Sequence, residues 1–358
     1  MMKARKLRIY EVVLAAESFA AKASGVGRVA RLMKRVFSER YPAQGMCVGV
    51  ALGDSNPPAD ASLDVFSCKD NRLRFVTELQ RKGLLARRVV YDSLSMARAH
   101  FMGPASFRPA LAWMHGIDVW EHARDIHLRV ARSIDLLVTN SDYTLRRASA
   151  LHPKLERSKV CWLGTETDQP ADPLPDHRHP PTVMILSRID ERSYKGHDAL
   201  MEVWPSVLER VPDARLLVAG SGPGIQNLQQ RAASLRQIEF LGYVQESAIP
   251  ALWNETDVFA MPSRGEGFGL VYIEAMRQGK PVIASRQDAG QEINVHGETG
   301  YNIDLDRPSD LADALVHLLM DHEHSLAMGR AGQERWQRFF SWRAFRSRFI
   351  DLIDREGF

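Results

Sequence analysis

The residues best suited to chemistry lie in one run, MPSRGEGFGLVYIEAMRQG at 261–279. Gly265, Gly267 and Gly269 occupy alternate positions between an apolar, strand-like end at Met261 and a helical run from Leu270. A glycine-rich turn into a helix start exposes backbone N–H groups where the helix dipole is positive, which suits a phosphate. Glu266 lies inside the turn and Glu274 eight residues on, in the helix. Carboxylates repel phosphate but accept hydrogen bonds from sugar hydroxyls. Phosphate donors between two hydroxyl acceptors suit a nucleotide sugar, whose diphosphate lies between ribose and hexose. A solvent-exposed helix start with an incidental acid would not call for three alternating glycines.

Cations come next. In ILSRIDERSYKGHDALMEVW, 185–204, Arg188 sits just past a strand end and Lys195 lies seven residues on, before Gly196 and a helix. Two cations at the mouth of a cleft would neutralise a diphosphate and the charge that develops on a leaving group. Alone they would read as surface cations. LLVAGSGPG, 216–224, is a strand running into Gly220, Gly222 and Gly224, either a plain strand-to-helix turn or a turn beneath a nucleotide. SGVGRVA, 24–30, offers Gly25 and Gly27 after the first strand, or simply a helix start capped by Ser24. WMHGIDVWE, 113–121, puts His115-Gly116 after a short apolar segment, with Asp118 on the same loop. That histidine could donate to a sugar hydroxyl. Trp113 and Trp120 read as core. Asn140-Ser141 closes a strand, and Arg146 and Arg147 follow on a helix as solvated cations.

Short apolar runs alternating with helical runs must position these residues. In the first half the strands are expected at 7–15, 46–52, 133–140 and 160–163, with helices over 25–40 and from Asp142. In the second they are expected at 183–186, 215–219, 238–241, 258–261 and 281–284, with helices near 197–210, 224–234, 247–254, 270–278 and 309–320. Such alternation implies doubly wound α/β domains with parallel sheets. DQPADPLPDHRHPP, 168–181, carries five prolines and reads as the linker between two of them. The expected domains are therefore 1–170, binding acceptor, and 171–340, binding donor. Two such domains would face a central cleft at the C-terminal ends of their strands. The tail, 322–358, is helical and rich in aromatics, and its last stretch, 340–358, is expected to pack back on the first domain.

The chain has 358 residues, 45% hydrophobic and 25% charged, which suits two soluble globular domains and excludes a disordered or collagen-like chain. Cys47, Cys68 and Cys161 are far apart with no CxxC spacing, so neither a disulfide framework nor a zinc cluster is expected, and a reducing cytoplasm is. No apolar run approaches the roughly 20 residues needed to span a bilayer. Net charge is +3. The basic segment GVGRVARLMKRVFSER reads as an amphipathic core helix with a solvated basic face. Its sharper reading lays residues 26–40 on the anionic headgroups of the inner face of the cytoplasmic membrane. No aromatic-basic motif points to nucleic acid.

The run PSRGEGFGLVYIEAMRQGKPVIAS, with Glu266 and Glu274 in an E-x7-E pattern, resembles the retaining family-4 glycosyltransferases. The resemblance covers most of the chain and is strongest over 183–305. It implies the GT-B fold of two Rossmann-like domains, with the donor held mainly by the second. It implies that Glu266 contacts hexose hydroxyls, that Glu274 contacts the ribose, and that the backbone of Phe268, Gly269 and Leu270 approaches sugar and phosphates. Arg188 and Lys195 resemble the family's Arg/Lys pair, although their spacing is about two residues longer. Gly222 resembles its G-x-G-P turn, and EFLGYV, 239–244, the strand facing the base. Gly25 and Gly27 resemble its phosphate loop with a valine between the glycines. His115 resembles its histidine near the reaction centre, and Asp118 and Ser141 are the expected acceptor contacts.

The resemblance further implies front-face attack, with the departing diphosphate taking the acceptor proton. No D-x-D pair stands where a metal would be required, so no obligatory divalent ion is expected, and the nucleotide sugar is a co-substrate. GDP-mannose is the expected donor, with UDP-glucose or UDP-GlcNAc as alternatives and a lipid-linked or surface glycan as acceptor. A nucleotide-dependent oxidoreductase is the rival from another class. Against it, this chain has no G-x-G-x-x-G after the first strand with an acid about 20 residues on. A non-catalytic sugar binder would not need both glutamates and both cations, and no cofactor-lysine pattern favours a phosphorylase.

Overall fold

The computed structural model describes residues 10–20, 25–54, 64–171, 179–191 and 194–358. The chain divides into two compact units: 1–163 with 346–358, and 164–345.

The first unit holds β1 (Tyr10–Ala16), α1 (Gly25–Arg40), β2 (Cys47–Ala51), β3 (Asp64–Ser67), α2 (Arg72–Leu84), β4 (Ala86–Tyr91), α3 (Leu94–Ala97), β5 (Ala110–Met114), α4 (Asp125–Ser133), β6 (Leu136–Thr139), α5 (Asp142–Leu151) and β7 (Lys159–Val160). Its sheet is parallel in the order β3-β2-β1-β4-β5-β6-β7. The second unit holds β8 (Thr182–Leu186), α6 (His197–Arg210), β9 (Arg215–Ala219), α7 (Ile225–Ala232), β10 (Ile238–Gly242), α8 (Ile249–Asn254), β11 (Val258–Ala260), α9 (Leu270–Arg277), β12 (Val282–Ser285), α10 (Gly290–Ile293), β13 (Gly300–Ile303), α11 (Pro308–Met320) and α12 (His322–Phe339). Its order is β10-β9-β8-β11-β12-β13, again all parallel. α13 (Trp342–Arg355) begins in the second unit and ends in the first. Both sheets thus run 3-2-1-4-5-6 from their own first strand, the doubly wound Rossmann order, and the first adds β7 as a seventh strand at its edge. Every residue of β2, β5 and β12 is buried, as expected of parallel strands covered on both faces.

The division falls at Gly164, ahead of the Pro-rich run, of which 172–178 lie outside the described residues. Residues 165–171 already belong to the second unit because its helices hold them. The Thr165 N–H donates to the Phe340 carbonyl (2.7 Å), Trp336 Nε1 donates to the Thr165 hydroxyl (3.1 Å) and the Ala171 N–H donates to the Arg277 carbonyl (3.2 Å). The first strand starts at Tyr10, and 7–9 lie outside the described residues.

α1 packs one face into the core. Val29, Ala30, Leu32, Met33, Val36 and Phe37 are buried, and so is Lys34. The outer side of α1 is tied to α13: Arg346 pairs with Glu39 (2.7 Å), Arg40 pairs with Asp354 (2.5 Å), and Phe37 meets Phe349 edge-on at 5.9 Å. Arg35 is paired with Glu39 (3.0 Å), and Arg31 donates to the Ala20 carbonyl (2.7 Å). Of the basic residues of 26–40, Lys34 is buried, and Arg35 keeps 46% of its side-chain surface beside Glu39. The tail aromatics pack rather than insert elsewhere: Phe340, Phe345 and Phe349 are all fully buried.

Candidate active site

In the second unit the strand order reverses between β8 and β11. Open parallel sheets bind ligands outside the carboxyl ends of the strands at that point. The loop after β8 carries Arg188 and Lys195, and the loop after β11 carries Glu266. The structure brings the last two together, with Lys195 Nζ donating to Glu266 Oε2. Backbone contacts fix the pair. The Arg264 N–H donates to the Tyr194 carbonyl (2.8 Å). Gly196 has a left-handed φ of +94°, and a Cβ there would lie 2.4 Å from the Pro262 carbonyl oxygen. Only glycine lets the loops approach this closely while α6 starts at the next residue. Burial works to lower the Lys195 ammonium, but Glu266 outweighs it and the net shift is upward, so the lysine stays charged.

Glu266 is held at its backbone by an acid that sequence reasoning missed. Its N–H donates to Asp288 Oδ2 (3.1 Å), and its carbonyl accepts from the Ala289 N–H (3.1 Å). Asp288 is fully buried after β12 and also accepts from the Gly290 N–H (2.8 Å). Burial pushes its carboxyl up to about 7, and the nearby charge of Glu266 adds to this against the hydrogen bonds from Gly290, Ser263 and Glu266. The one available signal was its place three residues past a strand end and two before a glycine.

Gly269 caps α9 with a φ of +88°, and a Cβ there would strike the Tyr272 ring at 2.3 Å. The Tyr272 hydroxyl donates back to the Met261 carbonyl (2.6 Å), closing the turn. Phe268 is buried edge-on against Phe340 at 6.2 Å, so its side chain is a packing group and only its backbone can face a ligand. Leu270 and Glu274 are half-buried, four residues apart on α9 and therefore on one face.

Gly220, Gly222 and Gly224 serve the β8 loop. A Cβ on each would lie 1.8, 2.1 and 2.3 Å from the carbonyl oxygens of Ser187, Ile189 and Asp190. The Ile189 N–H donates to the Ser221 carbonyl, and the Gly224 N–H donates to the Ile189 carbonyl, both at 3.1 Å. The glycines thus allow one loop to lie on the other, and Gly222 acts by seating the segment that carries Arg188. Arg188 itself is exposed, with Nε on Asp190 Oδ1 (2.7 Å).

In the first unit His115 follows β5. Its Nε2 lies 2.6 Å from the Asp92 carbonyl, which can only accept, so Nε2 carries a proton. The His115 N–H donates to Asp118 Oδ1 (2.9 Å), which makes Asp118 a brace for the loop. Burial raises the Asp118 carboxyl, opposed by His115 and His127. Asp92, also missed from the sequence, is buried and pushed up to about 7. It accepts from the Glu17 N–H (2.8 Å) and the Ser93 hydroxyl (2.9 Å), joining the ends of β1 and β4. Gly25 and Gly27 begin α1, and Ser24 lies outside the described residues. Ser141 is buried, and its hydroxyl accepts from the Thr144 N–H (3.0 Å) to cap α5. Trp113 and Trp120 are buried. Arg147 is not simply solvated, since it forks onto Glu121 (3.0 and 2.8 Å) over the Trp120 ring. Among the described residues, no group of three or more His, Cys, Asp or Glu side chains is placed to hold a metal ion.

Residues 180–321 match the family described as glycosyl transferases group 1. A GDP-mannose-dependent alpha-(1-6)-phosphatidylinositol monomannoside mannosyltransferase of Mycobacterium tuberculosis is 33% identical over 267 residues, 68% of this chain and 69% of the relative. A phosphatidyl-myo-inositol mannosyltransferase of Mycobacterium leprae is 35% identical over 174 residues, 48% of this chain and 46% of the relative. The fold is similar to that of Anabaena Alr3699/HepE in complex with UDP and glucose, with a TM-score of 0.76, 18% identity, and coverage of 96% of this chain and 99% of that one. The switch-point pair of Lys195 and Glu266 falls inside the matched region, and the chain belongs to the group 1 glycosyltransferases.

Proposed function

We propose that the chain transfers mannose from GDP-mannose, with retention of configuration, to the glycan headgroup of a lipid-linked acceptor. The observation that carries this is the Lys195–Glu266 pair at the switch point, beside the glycine-rich start of α9. Glu266 would accept from hexose hydroxyls and Glu274 from the ribose. Backbone N–H groups of Phe268, Gly269 and Leu270 would meet the phosphates. Arg188 and Lys195 would take up the charge that grows on the diphosphate as the bond to the anomeric carbon breaks. The acceptor oxygen bonds to that carbon from the leaving-group face, and its proton passes to the departing diphosphate. In this reading two cations meet the diphosphate and no divalent ion is obligatory, so turnover should persist in excess EDTA.

GDP-mannose is favoured by the relatives whose names carry mannosyl transfer, and the first-unit loop with His115 and Asp118 is assigned to the acceptor side. UDP-glucose is the second reading, favoured by the fold neighbour that holds UDP and glucose. Calorimetry with GDP, UDP, ADP and NAD separates these. Selective GDP binding supports the proposal, UDP binding moves it to the second reading, and NAD binding overturns both. NMR of the anomeric centre of the product then tests retention.

A further inference from the structure

The segment Arg98–Pro109, RAHFMGPASFRP, turns His100 inward and its large apolar residues outward. It forms two 3-10 turns, Arg98–Met102 and Pro104–Phe107, packed on α2. Beneath it lie His100, buried with Nδ1 2.9 Å from the Tyr91 hydroxyl, and Gln80 of α2, also buried. The Gln80 amide donates to the Ala99 carbonyl (2.5 Å) and accepts from the Ala105 N–H (2.7 Å). The backbone is thus braced from below. Facing outward, Phe101 is 43% exposed, Met102 66% and Phe107 85%. Leu84, whose carbonyl accepts from Arg108 (2.6 Å), is 49% exposed. One exposed apolar side chain needs no explanation, but a cluster held out by a built polar brace does.

Its charge is one-sided. From Ser93 to Ile117 there is no Asp or Glu, and Arg98 and Arg108 bracket the apolar side chains. The Arg98–Met102 turn packs on α3 and α4. Apolar side chains at an interface, flanked by cations and free of acids, are what binds an anionic lipid surface. No helix among the described residues is long and apolar enough to cross a membrane. On the lipid-linked reading the acceptor is met at a membrane surface.

We propose that residues 98–109 dock the first unit on an anionic bilayer, seating Phe101, Met102 and Phe107 below the headgroups with Arg98 and Arg108 at lipid phosphates. The proposal rests on the lipid-linked acceptor reading. The test is co-sedimentation of the full chain with phosphatidylcholine vesicles and with phosphatidylcholine–phosphatidylglycerol vesicles. GDP affinity is read in the same samples. The protein should bind the mixed vesicles, be released by salt, and bind the neutral ones far less. Substituting Phe101→Ser, Met102→Ser and Phe107→Ser together should weaken binding about tenfold or more. GDP affinity should stay unchanged, and Met102→Ser with Phe107→Ser alone, at the two most exposed positions, should weaken vesicle binding with the melting temperature held. Arg98→Gln with Arg108→Gln should erase the preference for the anionic vesicles. The proposal is overturned if the protein stays in the supernatant, or if the triple variant binds as well as the parent. A dimer that the triple variant abolishes, without vesicle binding, would overturn it in favour of a second copy as occupant. Loss of GDP binding with vesicle binding intact would instead strike the donor reading alone.

Discussion

Lys195 reaches Glu266 across 71 residues of sequence, and their side chains keep only 16% and 17% of their surface. The carboxylate assigned to the hexose is therefore neutralised before any donor arrives, and the lysine must be shared with the diphosphate when it does. Removing one partner of a mostly buried pair leaves a charge without compensation. Lys195→Met should cost on the order of 3 kcal/mol of stability in urea denaturation. It should also lower kcat by about 100-fold or more. Adding Glu266→Gln should restore much of the stability and none of the activity. Independent, additive losses in the double variant would refute the coupling.

Glu266→Ala alone should abolish transfer while leaving the far-UV circular dichroism intact, because its side chain lies on a loop end rather than in a strand. GDP affinity should stay equal or rise, since the freed Lys195 can turn fully to the diphosphate. Activity equal to the parent's would remove Glu266 from the site.

Much of the second unit was legible because its strands are short apolar runs bounded by Gly, Pro or Asp: Arg215–Ala219 and His197–Arg210 fall where periodicity puts them. β4 was missed because ARRVVY carries two arginines after its first residue, and β5 because ALAWM is short and alanine-rich. β3 is a four-residue edge strand, and the helix α2 after it went unread. β13, GYNI, hides a buried asparagine whose amide exchanges hydrogen bonds with Asn294, both at 2.9 Å, and only tertiary structure supplies that partner. The same limit applies at the site. Glu266 was visible through its glycine-rich turn, whereas Asp288 acquires its role only where the fold sets it under the Glu266 and Gly290 N–H groups.

Asp288 predicts a pH dependence of definite sign. Its folded-state value of about 7 lies above the ordinary 3.8, so the native state holds its proton longer than the unfolded chain does. Its stabilising contribution is full below about pH 4 and declines as pH rises through 4 to 7. Asp92 acts in the same direction over the same window. His197 acts oppositely: burial depresses it from 6.5 to about 4, so its contribution is lost as pH falls through that range. Asp288→Asn, which keeps the shape of the protonated acid, should flatten the fall in urea midpoint between pH 4 and 7 and leave the His197 limb in place. An unchanged midpoint-versus-pH curve would show that Asp288 does not titrate there.

Ser141 separates a cap from a contact. A residue that touched the acceptor would change the acceptor KM when truncated. Ser141 is instead buried, with its hydroxyl accepting from the Thr144 N–H at the start of α5. Ser141→Ala should therefore cost about 1 kcal/mol of stability, the usual loss of a helix cap. It should leave kcat and both KM values at their parent levels below the melting transition. A raised acceptor KM with unchanged stability would return Ser141 to the site, because a cap can be felt by a substrate only through the helix it holds.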